Sequence, residues 1–465
     1  MTYPIGVRIE LDADTKQLAD DVLFGGSPAR VLRLGAAGVR ALAELRTGPV
    51  TTAAGATLAR RLTDTGLANP CASPAPLEVT VVVPVYNRAV ELERCLAAVG
   101  RDHPVLVVDD GSTDPGTVAA VCSWHGAKLV RRPVNGGAGA ARNTALADIH
   151  TDFVAFLDSD CVASPGWITA LGGHFADPRV AAVAPRVTET GTGPSPLDLG
   201  DRPGRVAPLT RVAYVPTAAL IVRRTALTGG FDESLRHGED VDLVWRLVES
   251  GCRIRYDPSV RVAHTRPPSE PGRLRRRFVY GTTAAPLTRR HPGAVAPLVL
   301  QPWPTLVVGA LLARRPVIAL AAFGVSTARL GNRLREHDLP TTGLVRANAG
   351  GVLQTGLGIG RWFGQFAAPA LLASGRRSLW RAGVAGALMA GPPLADWIRQ
   401  RPRTGPARFV AVGLAEEAAY GAGVWAGCLR ERHFAALLPS VRNVPRVQGR
   451  QRPVDLVFGV EQVDG

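Results

Sequence analysis

Three sets of acidic residues in this chain could do chemistry. Asp158-Ser159-Asp160 follows the apolar run Phe153-Val154-Ala155-Phe156-Leu157, so two carboxylates one residue apart stand where a buried strand gives way to a loop. Such a pair suits a hard divalent cation that takes oxygen ligands and keeps positions open for phosphate, and it equally suits an ordinary turn. Asp109-Asp110-Gly111-Ser112 closes a second apolar run, Val105 to Val108. Glu239-Asp240, with Asp242, falls in the first turn of a helix whose apolar positions are Val241, Val244, Trp245 and Val248. Carboxylates there are stabilised by the helix amino end and also read as caps.

The elements that must position these groups begin at residue 78. Strands are expected over Glu78 to Val85, Val105 to Val108, Lys128 to Arg131 and Phe153 to Leu157, with helices over Arg88 to Val99, Pro115 to His125 and Gly139 to Ala147. This alternation predicts an α/β fold built on a parallel sheet with helices on both faces. Ligands of such sheets bind at the carboxyl ends of the strands. Pro84-Val85-Tyr86-Asn87-Arg88, Asp109-Asp110 and Asp158-Ser159-Asp160 all fall at such ends. Asn135-Gly136-Gly137-Ala138-Gly139-Ala140-Ala141-Arg142-Asn143 opens the third helix; its glycines permit close backbone approach, its amino end favours phosphate, and Arg142 adds a cation. The loop lacks a P-loop lysine and does not follow the first strand, so neither ATPase nor NAD binding is indicated. Beyond Asp160, a helix is expected over Trp167 to Phe175 and strands over Val180 to Val187, Tyr214 to Val222 and Val260 to Ala263, with a Gly/Pro-rich loop at 191–210.

V-V-V-P-V-Y-N-R, V-V-D-D-G-S, N-G-G-A-G-A-A-R-N and F-L-D-S-D, in this order, resemble the family 2 inverting glycosyltransferases of the GT-A fold over residues 78 to about 265. The resemblance implies a nucleotide-sugar site of Pro84, Tyr86, Asn87, Asp109, Asp110, Gly137, Arg142 and Asp158, with Asp110 and Asp109 at the base and Asp158 at the ribose. It implies Mg²⁺ or Mn²⁺ as cofactor, held by Asp158, Asp160 and His264, and an E-D pair, Glu239-Asp240, whose Asp is the catalytic base. The inverting reaction needs both carboxylate sets, because one group takes the acceptor proton while a metal neutralises the departing diphosphate.

The flanks and the composition narrow the setting. Lys+Arg 54 against Asp+Glu 39 gives a net charge of +15, an attraction to anions that the resemblance assigns to a UDP-sugar donor and not to nucleic acid. Six cysteines without C-x-x-C spacing argue against a disulfide framework or a zinc module, and no secretory signal is visible in Met1 to Asp12, so a cytoplasmic protein is expected. Residues 1–72, short strands followed by helices, resemble the winged-helix-like, PqqD-like modules that bind peptides; a structural cap or a dimerisation unit fits the same pattern. A linker over 73–77, the glycosyltransferase domain over 78–266 and a basic, apolar helical region over 267–465 complete the division. No uninterrupted twenty-residue apolar span occurs in that last region, which leaves open both peripheral association with the anionic inner face of the cell membrane and a helical domain in water. The three-part whole resembles glycosyltransferases of the mycofactocin type, which implies transfer of a hexose, glucose from UDP-glucose, to a peptide-derived redox cofactor. Two alternatives stand beside it. A membrane-associated enzyme of envelope polysaccharide or glycolipid synthesis would suit the tail, although the Gln-x-x-Arg-Trp of processive relatives is missing from Arg253 to Tyr280. A non-catalytic nucleotide-sugar or peptide scaffold would not need two carboxylate sets.

Overall fold

The computed structural model describes residues 2–189, 197–265, 270–333, 341–376, 378–402, 404–441 and 460–463. The chain divides into two units, Met1–Arg266 with Glu461–Gly465, and Pro267–Val460. Residues 191–196, the start of the expected Gly/Pro-rich loop, lie outside the described residues.

The first unit opens with β1 (Arg8–Leu11), β2 (Lys16–Ala19), β3 (Val22–Gly25), β4 (Arg30–Leu34), α1 (Ala36–Thr47), α2 (Ala53–Thr65) and β5 (Ala68–Cys71). β2, β3 and β4 form an antiparallel ladder and β1 pairs antiparallel with β5. α2 starts where the Thr52 hydroxyl accepts from Gly55 N at 3.0 Å, and it stops at Gly66, whose φ of 74° favours glycine. Leu23, Leu32, Leu42, Leu45, Leu58 and Leu62 close the core between strands and helices. Pro70 and Cys71, just ahead of the expected linker, belong to β5; proline is tolerated there because the strand lies at a sheet edge.

The large sheet then forms from β6 (Val79–Val85), β7 (Val105–Asp109), β8 (Lys128–Arg131), β9 (Phe153–Leu157), β10 (Cys161–Ala163), β11 (Val180–Glu189), β12 (Gly204–Arg205), β13 (Ala219–Arg223) and β14 (Arg253–His264). Its order is β10-β14-β11-β13-β9-β6-β7-β8, with β12 on β14. β6 is valine-rich and buried at all seven positions, as a central strand covered on both faces must be. Parallel pairing of β9, β6, β7 and β8 brings their carboxyl ends to one edge. The helices between them are α3 (Ala89–Val99), α4 (Pro115–His125) and α5 (Ala138–Leu146); α6 (Trp167–Gly172) and α7 (Glu239–Glu249) follow.

Three expectations need correction. The helix from Trp167 tightens into a 3₁₀ turn at Gly173–Ala176. The strand expected over Tyr214 to Val222 begins only at Ala219, because Pro216 has no N–H for a ladder and the Ala213 carbonyl accepts the Trp245 indole N–H at 2.8 Å. β14 is one twelve-residue strand whose register shifts opposite Pro185/Arg186, and it ends on His264.

The segment preceding the large sheet is fastened to it within the first unit. Arg60 makes a buried, two-pronged ion pair with Asp177 at 2.7 and 2.8 Å, and Arg253 makes a half-buried two-pronged pair with Asp64 at 2.6 and 2.7 Å. Ala75 N donates to Thr169 O at 2.9 Å. Residues 73–75 lie so close to α6 that a Cβ on Gly172 would stand 2.0 Å from Ala75 O, and one on Gly173 1.8 Å from Ser73 O.

The second unit is helical: α8 (Glu270–Thr282), α9 (Ala284–Arg290), α10 (Pro302–Leu312), α11 (Pro316–Arg333), α12 (Thr341–Phe366), α13 (Ala368–Gly375), α14 (Leu379–Gln400) and α15 (Pro406–Glu431). Glycine lets backbones touch here: a Cβ on Gly423 would meet Phe278 O at 2.0 Å, and one on Gly421 would meet Gln365 O at 1.8 Å. No helix among the described residues is long and apolar enough to cross a membrane.

Candidate active site

The carboxyl edge of the parallel strands is where the sequence motifs meet. Pro84 is buried near the end of β6, Tyr86 just beyond it is exposed, and Asn87 takes a left-handed turn at φ 55°. Asn87 Oδ1 accepts from Thr113 N at 2.8 Å and Asn87 N donates to Ser112 Oγ at 3.0 Å, so the loops after β6 and β7 are clamped together.

Asp109 and Asp110 have different surroundings. Asp109 is fully buried; Oδ1 accepts from Ser112 N at 2.9 Å, while Oδ2 has no hydrogen-bond donor among the described residues and lies 3.8 Å from Arg131 Nε. Asp110 holds the glycine loop: Oδ1 accepts from Arg132 Nε at 2.8 Å, and Oδ2 accepts from Gly136 N at 3.1 Å and Gly137 N at 2.7 Å. Gly137 supplies this approach at φ 94°, which a side chain would resist.

From the loop, α5 carries Arg142 into the centre of the site. The guanidinium is buried and bridges two distant carboxylates, Asp158 Oδ1 at 2.7 Å and Glu239 Oε1 at 2.9 Å. It also lies over the Phe231 ring, 5.3 Å from its centroid. A planar fork with several donors suits this bridge, which an ammonium would not reproduce. The neighbouring Asn143 ties down the approach to α7: its side chain accepts from Phe231 N at 2.8 Å and donates to Phe231 O at 2.9 Å.

Glu239 and Asp240 begin α7, and Gly139 leaves room for the approach, since a Cβ there would stand 3.3 Å from Glu239 Cγ. Asp240 is half-buried and its Oδ1 accepts from Val241 N at 2.8 Å. Burial, and then the Glu239 carboxylate beside it, push Asp240 up to a pKa of about 7, while Arg142 opposes the rise.

Asp160 points to a different group. Its Oδ2 pairs with Arg88, and its Oδ1 lies 3.4 Å from His264 Nε2 across the β10–β14 pairing. His264 Nδ1 in turn lies 3.9 Å from Glu189 Oε1. The structure brings Asp160 and His264 together, while Asp158 is held by Arg142; among the described residues, no three His, Cys, Asp or Glu side chains form a metal-binding group. A carboxylate and an imidazole side by side still fit as two ligands of a cation that takes its remaining ligands from phosphate.

Asn143, Arg88, Phe231 and Glu189 are contacts not foreseen from sequence. Asn143 and Arg88 stand inside the motifs already quoted, whereas nothing local marks Glu189, which is brought to His264 by the parallel pairing of β11 with β14.

The family described as Glycosyl transferase family 2 matches residues 80–225. The chain is 37% identical over 475 residues to the pre-mycofactocin glycosyltransferase of Mycobacterium tuberculosis, covering 95% of this chain and 99% of that protein. It is 30% identical over 229 residues to the N-acetylglucosaminyl-diphospho-decaprenol L-rhamnosyltransferase of the same species, covering 40% of this chain and 75% of that one. Among solved structures, a mannosyltransferase from Pyrobaculum calidifontis in complex with GDP-Man and Mn²⁺ aligns with 77% of this chain and 90% of its own, at 20% identity and a TM-score of 0.45.

Proposed function

The chain belongs to glycosyl transferase family 2, and from that membership we propose that it transfers a hexose, glucose from UDP-glucose, to the peptide-derived acceptor of a mycofactocin-type system. The observation that carries the reading is the Arg142 bridge. One guanidinium ties Asp158, at the strand end where a nucleotide sugar would lie, to Glu239, next to the carboxyl group that would act as base.

In this reading Asp109, Asp110, Asn87, Tyr86 and Pro84 form the nucleoside pocket, with Asp110 shaping the 135–137 loop around it. Asp158 faces the ribose and Arg142 fixes its orientation. Asp160 and His264 would hold Mg²⁺ or Mn²⁺, which would supply charge neutralisation for the leaving diphosphate. Asp240, ionised, accepts the acceptor hydroxyl proton as the new glycosidic bond forms at the anomeric carbon with inversion. Its raised pKa makes it a stronger base than an ordinary carboxylate, and Glu239 stays fixed on Arg142.

The peptide character of the acceptor draws support from near full-length similarity to the pre-mycofactocin enzyme, which extends through the N-terminal segment. That segment carries a groove of about 340 Å³ lined by Ile9, Leu11, Leu42, Leu45 and Leu62 between Arg8 and Arg46. In this reading the reaction takes place in the cytoplasm. The test is direct: purified protein, UDP-glucose, Mn²⁺ and the peptide-derived acceptor should release UDP and give a product heavier by one hexose, and no transfer would overturn the reading.

A further inference from the structure

The second unit exposes apolar surface that a helical domain in water would normally cover with charge. Among the described residues, six exposed large apolar side chains lie in the first unit and nineteen lie between Phe278 and Val441. α11 runs from Pro316 to Ala328 without a charged residue, yet Val317 is 79% and Leu320 74% exposed. The start of α14 repeats the feature, with Leu379 94% exposed beside Trp380, and no charge follows Arg381 until Asp396.

These two helix starts are neighbours. Arg314, which turns the chain from α10 into α11, lies over the Trp380 ring, 5.4 Å from its centroid. Arg315, Arg376 and Arg381 flank the same helix starts; all four arginines are exposed, and none has an acidic partner among the described residues. The local sequence is strongly one-sided, since residues 301–395 hold ten arginines against Glu336 and Asp338.

We infer that the starts of α11 and α14 form a docking corner for an anionic lipid surface, with Leu379, Trp380 and Val317 entering the headgroup boundary and the arginines meeting phosphates. The chemistry matches on both counts: an indole beside a guanidinium suits the boundary between water and hydrocarbon, and clustered arginines draw anionic headgroups. No helix crosses the bilayer in this arrangement, in keeping with the lengths and composition of the described helices. The inference rests on the second unit alone and is independent of the transfer reaction.

Flotation of the full-length protein with vesicles tests it, using phosphatidylcholine alone and phosphatidylcholine with phosphatidylglycerol. The protein should float with the anionic vesicles and not with the neutral ones. Arg314→Glu and Arg381→Glu should each lower the floated fraction by about fivefold, the corresponding lysine variants should retain it, and Leu379→Asp should abolish it. Far-UV circular dichroism and glycosyl transfer by the detergent-free variants should be unchanged, since none of these residues belongs to the site at the sheet edge. Failure to float with either vesicle, or equal flotation of Leu379→Asp, overturns the inference. So does a concentration-dependent dimer in light scattering that Leu379→Asp dissociates, because the corner is then a self-interface.

Discussion

At the scale of single residues, Asp240 carries the proton chemistry. Replacing it with Asn keeps its size and its hydrogen bond to Val241 N but removes the base. Transfer should fall by about 10²–10⁴-fold while UDP binding, followed by calorimetry, stays near its original value. The raised pKa sets a second expectation. Only the ionised carboxylate accepts a proton, so kcat/KM should drop as pH falls through about 7 and level off above it. Glu239→Gln removes the neighbouring charge that raises Asp240 and should move this limb to lower pH in a pH–rate profile. The stability term has the opposite trend. Between the ordinary carboxylate range and about pH 7 the folded chain keeps a proton that the unfolded chain has lost, so this group's contribution weakens as pH rises and stops changing above about 7.

At the scale of elements, the site depends on α5 and α7 being locked together. Arg142 makes that lock, and its side chain is 2% exposed against 11% for Glu239 and 31% for Asp158. Arg142→Lys keeps the charge and loses the fork, so one carboxylate is left without its partner. We expect kcat/KM to fall by at least about tenfold and stability by about 3 kcal/mol, with Arg142→Met worse on both, as measured by steady-state kinetics and urea unfolding. A second element contact is purely steric. Gly173→Ala would place a methyl group 1.8 Å from Ser73 O, and the backbone must shift to admit it. Urea unfolding should show a loss of about 1–3 kcal/mol, with kcat retained in the fraction that folds.

At the scale of the whole molecule, the parallel half of the sheet is legible in the sequence because β6, β7 and β9 are short valine-rich or aromatic runs that give way within two residues to polar side chains. The three loaded strand ends follow from that topology without any knowledge of distant contacts. What lies beyond local pattern is of two kinds. β2 is a four-residue, half-polar strand and β5 contains a proline, so both owe their existence to pairing partners and not to their own composition. The bridge from Arg142 to Glu239 joins residues 97 apart, and neither residue's neighbours in sequence announce it. His264 is similar: the expectation of a strand end was right in place, but its company of Asp160 and Glu189 comes from β14 pairing with both β10 and β11.

The central claim is that two carboxylate sets, Asp158 with Asp160 and Glu239 with Asp240, tied together by Arg142 through Asp158 and Glu239, divide one transfer reaction between them. The most direct measurement is a single-turnover reaction of wild type and Asp240→Asn with UDP-glucose, Mn²⁺ and the peptide-derived acceptor, followed by mass spectrometry with UDP binding measured in parallel. The account predicts one hexose added per UDP released by the wild type, and no product from a variant that still binds UDP. Product formed by Asp240→Asn at the wild-type rate, or hexose transfer with retention at the anomeric carbon, would contradict it.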